Sequence, residues 1–332
     1  MKQRFVMGVD GGNTKTHYVL ADQEGNIVNI IEAGTSSHER LKGYEEMKRE
    51  LAHQISRLLD THKLKPGDLS FSVLGLAGAD LRKQYAEISR RLEEIGLVNF
   101  KVYNDAYLGI KAGSEKGYGI CSINGTGTSC TGIDRHGSQL QVGGCGSYTG
   151  DDAGGGYLWR TAIRIVYESI YKCGEPTIMK DMIFDILKIT DEDLFLDAVY
   201  EQVLTGITDR KLLTKLVFMA ANEGDHAAIK LIQHVGRGTA KAVVGVSRRL
   251  DFPEDEELEV VLAGSVHVKG ENPAMVDAFR DEVLRNINRR IEFRILQVPP
   301  VAGAIIWALE EMKGTVNSTE RSRILNYLKN CF

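Results

Sequence analysis

One pattern occurs twice in this chain: a short buried strand, a glycine turn and a second strand. The first copy is VDGGNT over residues 9–14, and the second is INGTGT over residues 123–128. A polar turn follows each copy, DQEG at 22–25 and DRHG at 134–137. Two hairpins can resemble each other by chance. Because both the glycine turn and the polar turn after it match, the sequence indicates an internal duplication.

The elements predicted around the two copies follow the order βββαβαβα, which is typical of an α/β fold with a mixed sheet. Short apolar runs bounded by turn residues predict strands over residues 5–10, 15–21, 27–32, 70–78 and 100–105, three more within 118–144, and two over 257–266 and 291–298. Apolar residues at helical spacing predict helices over 38–63, 80–95, 106–112, most of 153–250, 301–312 and 322–330.

The chain has 332 residues, which is more than one hydrophobic core usually serves, so two domains are expected. We predict an N-terminal domain over residues 1–113, joined by a C-terminal helix over 315–332. Residues 114–314 are predicted to form a C-terminal domain with a helical insertion at about 153–250. A cleft is expected between the two domains.

The overall charge and the apolar runs limit the partners that the chain is expected to bind. A net charge of −4 provides no attraction to nucleic acid or to an acidic membrane. No apolar run approaches the roughly 20 residues that span a bilayer, and the start of the chain lacks the apolar core of a signal peptide. The five cysteines form no C-x-x-C pair, which favours free thiols in a cytoplasmic protein.

Glycine is concentrated in three bunches, at residues 8–12, 125–132 and 143–156. Tight turns alone would explain any one bunch. Because glycine also lets a ligand approach the backbone closely, bunches that follow strands suggest a phosphate-binding site.

The first glycine turn offers the backbone N–H groups of Gly11, Gly12, Asn13 and Thr14, with the Thr14 hydroxyl beside them. Successive N–H groups of this kind bind anions. Asp10, at the end of the strand, would repel a phosphate unless a metal ion lay between them, and Mg²⁺ binds through few carboxylates together with phosphate oxygens. The alternative is an ordinary hairpin with a solvated aspartate.

The second turn, which contains Gly125, Thr126, Gly127 and Thr128, has no acid and suits a phosphate that is not bridged by a metal. Two such hairpins could hold one polyphosphate from opposite sides of a cleft. The Walker A, Rossmann and protein-kinase signatures are all missing from the sequence.

Asp105 follows a predicted strand and opens a predicted helix. Capping of the helix is the simple interpretation, and the helix N-terminus would hold the carboxylate ionised. The alternative is catalytic: at the cleft, Asp105 could accept the proton of a substrate hydroxyl that attacks a γ-phosphate.

Two further polar stretches have the same two interpretations. Asp151 and Asp152 precede a helix, so one could bind a sugar hydroxyl while the other caps the helix. Ser36, Ser37 and His38 lie at a strand-to-helix turn, where Ser36 or Ser37 could be the N-cap.

Five motifs in this order, VDGGNTKT, NDA, NGTGT, GDDAGGG and VVLAGSV, resemble the BadF/BadG/BcrA/BcrD-type ATPase family. Within that family the sequence is similar to the N-acetylglucosamine and glucosamine kinases. The resemblance covers nearly the whole chain. It implies an actin-like, ribonuclease H-like fold in which two domains with duplicated cores close over ATP and a sugar.

The resemblance also implies roles for individual residues. Those predicted to bind Mg²⁺ and ATP are Asp10 for the metal, then Gly11, Gly12, Asn13, Thr14, Lys15, Gly125, Thr126, Gly127 and Thr128 for the phosphates, and Gly264 and Ser265 for adenosine. Those predicted on the sugar side are Asp105 as the base, with Ser37, His38, Gly78 and Asp151. Ser37 and Glu39 depart from the asparagine and the aromatic residue of N-acetylglucosamine kinases.

The predicted function is ATP-dependent phosphorylation of the primary hydroxyl of an amino sugar, by a cytoplasmic homodimer acting on a small molecule. One alternative is the ATPase activator of a 2-hydroxyacyl-CoA dehydratase-type enzyme, with Cys121, Cys130 and Cys145 near an iron–sulfur cluster. We interpret these cysteines as buried thiols instead, because the cysteine motif of that branch is absent. The other alternative is a non-catalytic sugar-sensing regulator, although no helix-turn-helix is evident.

Overall fold

The computed structural model of the protein describes residues 3–332, which form ten strands and twelve helices. The strands are β1 (Phe5–Gly11), β2 (Lys15–Asp22), β3 (Ile27–Gly34), β4 (Phe71–Leu76), β5 (Phe100–Tyr103), β6 (Gly119–Asn124), β7 (Thr128–Ile133), β8 (Gln139–Gly143), β9 (Leu258–Ala263) and β10 (Ile291–Ile295).

The strands form two five-stranded sheets with the same topology. The first sheet has the order β3-β2-β1-β4-β5, and the second has the order β8-β7-β6-β9-β10. In each sheet the first three strands are antiparallel neighbours, and the last two run parallel to the central strand. This repetition confirms the predicted duplication of the core.

Alternation of side chains explains why the central strands are apolar throughout. In β1, Phe5, Met7 and Val9 face one hydrophobic cluster, and Val6 faces another on the opposite side of the sheet. Because successive side chains point to opposite faces, a strand with helices on both sides must be apolar at nearly every position.

Helices cover the faces of both sheets and build the insertion in the second half. They are α1 (Tyr44–Asp60), α2 (Arg82–Glu94), α3 (Ala106–Gly113), α4 (Gly154–Tyr171), α5 (Met179–Leu187), α6 (Phe195–Ala198), α7 (Arg210–Asn222), α8 (His226–Ser247), α9 (Ser265–Lys269), α10 (Pro273–Asn286), α11 (Val301–Lys313) and α12 (Ser318–Lys329). None of the helices within residues 3–332 has the length and apolar character that crossing a bilayer requires.

The prediction for α1 was wrong at its start, and α10 was not predicted. Residues 38–43 form turns, in which the carbonyl of Ser37 accepts hydrogen bonds from the N–H groups of Arg40 and Leu41. Gly43 then precedes the first turn of α1. The start of α10 is marked by Asn272, whose side chain accepts from the N–H of Ala274, with a proline at the first helical position.

Helices α3 and α11 pack against each other between the two sheets. α3 packs against β6, β7 and β9 of the second sheet, whereas α11 packs against β1, β2 and β4 of the first sheet. Gly303 in α11 lies against the backbone of Leu108 in α3, where a larger residue would clash, and Lys111 pairs with Glu310 at 2.7 Å. The boundary at residues 113 and 114 stays a prediction, but each segment supplies a helix to the other segment's sheet.

The C-terminal helix α12 returns to the first half of the molecule. Ile324 and Leu328 of α12 are fully buried in the same cluster as Val6 and Val19. Lys313 Nζ, just before α12, donates to the carbonyl of Gln23 in the β2–β3 turn at 3.2 Å.

Candidate functional site

The first candidate residue, Asp10, lies near the end of β1. It stands opposite His17 of β2 and Gly75 of β4, and its Oδ2 is 3.8 Å from His17 Nδ1. Burial, and secondly the charge of Asp105, raise the pKa of Asp10 to about 8, although Lys15 opposes this shift. Asp10 and Asp105 are therefore near enough for each charge to disfavour the other.

The hairpin that follows Asp10 closes with a hydrogen bond from the N–H of Gly12 to the carbonyl of Lys15 at 2.9 Å. Its tip, Asn13 and Thr14, is exposed. Gly11 is explained by packing, since a Cβ there would lie 2.5 Å from the Ser36 hydroxyl.

Lys15, the last predicted phosphate contact of this hairpin, lies beside the neighbouring strand. Its Nζ is 3.3 Å from Glu32 Oε2 on β3, and both side chains are about half exposed. A phosphate contact by Lys15 therefore requires this exposed ion pair to open, which costs little because water screens exposed charges.

Asp105 precedes α3, but its side chain makes no capping hydrogen bond. The neighbouring Asn104 caps the helix instead, with its Oδ1 accepting from the N–H of Ala106 at 3.0 Å. Burial, and secondly the charge of Asp80, raise the pKa of Asp105 to about 7. Asp105 occupies the N-cap position of α3, but the interpretation of its side chain as the cap is wrong.

The second glycine hairpin packs on the N-terminus of α4. The N–H groups of residues 154–156 donate, in order, to Asn124 Oδ1 and to the carbonyls of Gly125 and Thr126, at 2.8, 2.7 and 3.0 Å. The prediction that Asp151 or Asp152 caps this helix is therefore wrong. Asn124 caps it from the hairpin, because the chain reaches α4 at Ala153 without a side-chain cap of its own.

Within this second turn, some predicted phosphate donors are already engaged. The N–H of Gly125 donates to the carbonyl of Gly127 at 2.9 Å, and the Thr128 hydroxyl donates to the carbonyl of Ile123 at 2.8 Å. A Cβ on Gly127 would meet no atom within 4 Å, so the space beside this residue is open. Room for a phosphate is thus found at the tip of the turn, near Thr126 and Gly127.

Gly264 and Ser265, the predicted adenosine contacts, lie beside this hairpin. Gly264 has φ +90, and a Cβ there would be 2.5 Å from the carbonyl oxygen of Asn124. Only glycine fits both the positive φ and this close backbone contact. Ser265 begins α9, and its N–H lies 3.9 Å from where a Cβ on Gly125 would be.

On the sugar side, Ser37, His38 and Gly78 are brought together. Gly78 has φ +84, and a Cβ there would lie 2.8 Å from His38 Cε1. The His38 ring stacks on Tyr44 with centroids 4.2 Å apart, and burial lowers the pKa of His38.

Neither serine caps a helix here, so that interpretation was wrong. Ser36 Oγ accepts from the Thr16 hydroxyl at 3.0 Å. Ser37 is 1% exposed and His38 is 9% exposed, yet Ser37 Oγ and His38 Nδ1 lack hydrogen-bond partners within residues 3–332. Seven other buried polar atoms within residues 3–332 also lack a partner, but only these two belong to the predicted sugar-side residues, where they are available to a polar ligand.

Asp151 organises an exposed loop. Its Oδ2 accepts from the N–H groups of Gly144 and Gly146 and from the Thr149 hydroxyl, at 2.9, 2.7 and 2.8 Å. Its contact with a sugar stays a prediction. The same exposed loop carries Cys145, so the interpretation as buried thiols holds for Cys121 and Cys130 and is wrong for Cys145.

The sequence did not point to three hydrogen-bonded residues next to Asp105, namely Asp80, Asn104 and Gln141. Asp80 Oδ1 accepts from Asn104 Nδ2 at 3.0 Å and from Gln141 Nε2 at 2.6 Å. A signal was present, since Leu-Ala-Gly occurs at the ends of both β4 and β9, at residues 76–78 and 262–264. In both halves this glycine has a positive φ, which marks the strand end where functional side chains gather.

The donor set near Asp10 fits Mg²⁺ only if phosphate and water complete its coordination. Within residues 3–332, no group of three or more histidine, cysteine, aspartate or glutamate side chains could hold a metal ion. Mg²⁺ characteristically uses one or two carboxylates together with phosphate oxygens and water. Burial, and secondly the charge of Asp105, raise the pKa of Asp10, and a bound divalent cation would oppose this shift.

The chain belongs to the BadF/BadG/BcrA/BcrD ATPase family, whose model matches residues 7–308. The matched range includes both glycine hairpins and all or most of every strand. The resemblance that the sequence motifs suggested is therefore confirmed.

The chain is similar to kinases of known name. An N-acetylmuramic acid/N-acetylglucosamine kinase of Clostridium acetobutylicum is 28% identical over 266 residues, 79% of this chain and 85% of the relative. An N-acetyl-D-glucosamine kinase of Dictyostelium discoideum is 22% identical over 323 residues, 94% of this chain and 100% of the relative.

Among solved structures, a Chromobacterium violaceum protein provisionally named an N-acetylglucosamine kinase has a TM-score of 0.68 and 21% identity. The match covers 92% of this chain and 99% of that chain. This likeness establishes the fold, and the predicted two-domain, actin-like architecture is confirmed.

Proposed function

We propose that the protein transfers the γ-phosphoryl group of ATP to the primary hydroxyl of an amino sugar of the N-acetylglucosamine or glucosamine type. Membership of an ATPase family supports the use of ATP. The names of the two curated relatives support an amino-sugar acceptor.

The observation that carries the proposal is the state of Asp105. Its side chain is not used as a helix cap, it lies beside Asp10 and Asp80, and its pKa is raised to about 7. A general base works best when its pKa is near the working pH. Asp105 would accept the proton of the sugar hydroxyl as the oxygen bonds to the γ-phosphorus and ADP departs, an effect typically worth about 10²–10⁴-fold in rate.

The remaining residues of the site would bind and orient the substrates. Asp10 would hold Mg²⁺, which when bound supplies positive charge to the phosphates. The tips of the two hairpins, at Asn13 and Thr14 and around Gly127, would contact the phosphates, with Gly264 and Ser265 on the adenosine side. Ser37 Oγ and His38 Nδ1, which are buried and have no hydrogen-bond partner within residues 3–332, would bind sugar hydroxyls.

A coupled assay of ADP release, run with Mg²⁺ and a panel of hexoses and amino sugars, tests the proposal. We expect ADP release to depend on an amino sugar, with phosphorus NMR identifying a phosphate ester on the primary hydroxyl. ADP release at the same rate without any sugar would contradict the proposal and favour an ATPase activator.

We also propose that the protein is a cytoplasmic homodimer. Size-exclusion chromatography with light scattering would test whether it is a dimer.

A further inference from the structure

We propose that Asp80 is a positioning residue that joins the base Asp105 to the sugar-side loop of the second half, through one carboxylate oxygen shared between two amides. This inference rests on the proposed function. The sugar-side loop is defined here as residues 143–151, which end at Asp151.

The shared oxygen is the starting observation. Asp80 follows β4 in the first half, and its Oδ1 accepts from Asn104 Nδ2 at 3.0 Å and from Gln141 Nε2 at 2.6 Å. Asn104 is the residue before Asp105, whereas Gln141 lies on β8 of the second sheet. One atom therefore links the first half of the molecule to the second beside the base.

The first connection leads to the base. Asn104 is 4% exposed, and its Oδ1 accepts from the N–H of Ala106 at 3.0 Å while its own N–H donates to the Tyr85 hydroxyl at 3.1 Å. Asp80 takes up the amide group that would otherwise be unpaired and buried. Because the same Asn104 side chain caps α3, its orientation sets where α3 starts and hence where the Asp105 carboxylate lies.

The second connection leads to the sugar-side loop. Gln141 Nε2 also lies 3.4 Å from the carbonyl of Gly143. A Cβ on Gly144 would be 2.7 Å from Gln141 Nε2 and 3.4 Å from Asp80 Oδ1, so the loop backbone packs directly on this pair. The N–H of Gly144 then donates to Asp151 Oδ2 at 2.9 Å.

The two connections have different consequences. The Asn104 connection orients the base and should act on turnover. The Gln141 connection orients the loop that carries Asp151 and should act on sugar binding. A residue that merely stabilised the fold would lower the melting temperature without separating these two kinetic parameters.

The test uses the full-length variants Asp80→Ala, Gln141→Ala and the double variant, with kcat and the sugar KM measured at saturating ATP and Mg²⁺. We expect Asp80→Ala to lower kcat by about tenfold or more and to raise the sugar KM. We expect Gln141→Ala to raise the sugar KM by about three- to tenfold with kcat within about twofold of the wild type. The double variant should match Asp80→Ala, because both changes remove the same hydrogen bond.

Asn286→Ala is a matched control, because within residues 3–332 this exposed amide bonds only to Glu282 of its own helix. Its kinetics should equal those of the wild type. If Asp80→Ala does not fold, the KM of Gln141→Ala decides the question. An active wild type with an unchanged KM in Gln141→Ala, or single effects that multiply in the double variant, would overturn the inference alone. A wild type that phosphorylates no sugar would overturn the proposed function and this inference together.

Discussion

The two glycine hairpins occupy the same place in two sheets of the same topology, yet they end in different side chains. Asp10 precedes the first turn, where it lies near Asp105 with a pKa raised to about 8. Asn124 precedes the second turn, where it is fully buried and caps α4 through Gly154. The first hairpin thus follows an ionisable carboxyl group near Asp105, whereas the second follows a neutral amide that caps a helix.

This difference follows from the cost of burial. A buried amide is satisfied by two or three hydrogen bonds, and Asn124 has one from the N–H of Gly154 and a weak one to Met275 Sδ at 3.7 Å. A buried carboxylate needs a positive partner or a proton. The comparison therefore predicts that substitution of Asp10 lowers activity, whereas substitution of Asn124 lowers stability.

The largest effect is expected for Asp105, the proposed base, which lies in the first half of the molecule. Asp105→Asn removes the proton acceptor while it preserves the size of the side chain. We expect kcat to fall by about 10²–10⁴-fold while calorimetry detects unchanged binding of ATP and sugar. A turnover rate equal to that of the wild type would rule out Asp105 as the base.

Asp10→Asn gives the first hairpin the side-chain type of the second. We expect the Mg²⁺ concentration needed for half-maximal turnover to rise by about 10–100-fold, because the charge that would bind the metal is lost. Thermal stability should be maintained or increased, since a buried like-charge pair is removed. An unchanged Mg²⁺ dependence would show that the two hairpins do not differ in metal binding.

Asn124→Ala removes the cap in the second half. We expect the free energy of unfolding to fall by about 1–2 kcal/mol, because the N–H of Gly154 loses its buried acceptor. Denaturation in urea measures this change, and Asn317→Ala, at the exposed cap of α12, is a comparison with a smaller expected loss. Equal losses in the two variants would contradict the structural role of Asn124.

The smallest effect concerns the pH dependence of turnover. Asp105 must be deprotonated to accept a proton, so kcat/KM should fall as the pH drops through about 7. Burial, and secondly the charge of Asp80, raise the pKa of Asp105, so Asp80→Asn should move this limb of the profile part of the way to lower pH. A limb that stays in place, or moves to higher pH, would argue against an electrostatic effect of Asp80 on the base.

Much of the scaffold could be predicted because its signals are local. The strands and turns around Asp10 and around Asn124 follow from apolar alternation and glycine turns, and the duplication is visible in the motifs themselves. The start of α1 could not be predicted from periodicity, because Leu41 fits a helical pattern although residues 38–43 form turns. The start of α10 is marked in the sequence by Asn272 and a following proline, but a capping signal alone does not establish a helix.

The sequence by itself determined the duplicated fold, the family and the positions of the acids at strand ends, because these depend on side-chain periodicity and on short motifs. Only the tertiary structure decided which polar group each side chain meets. Asn104 and Asn124 take the caps that the aspartates were expected to fill, and Asp80 bonds to Gln141, 61 residues away. The reason is that hydrogen-bond partners are chosen by distance in space after burial, and sequence spacing does not record that distance.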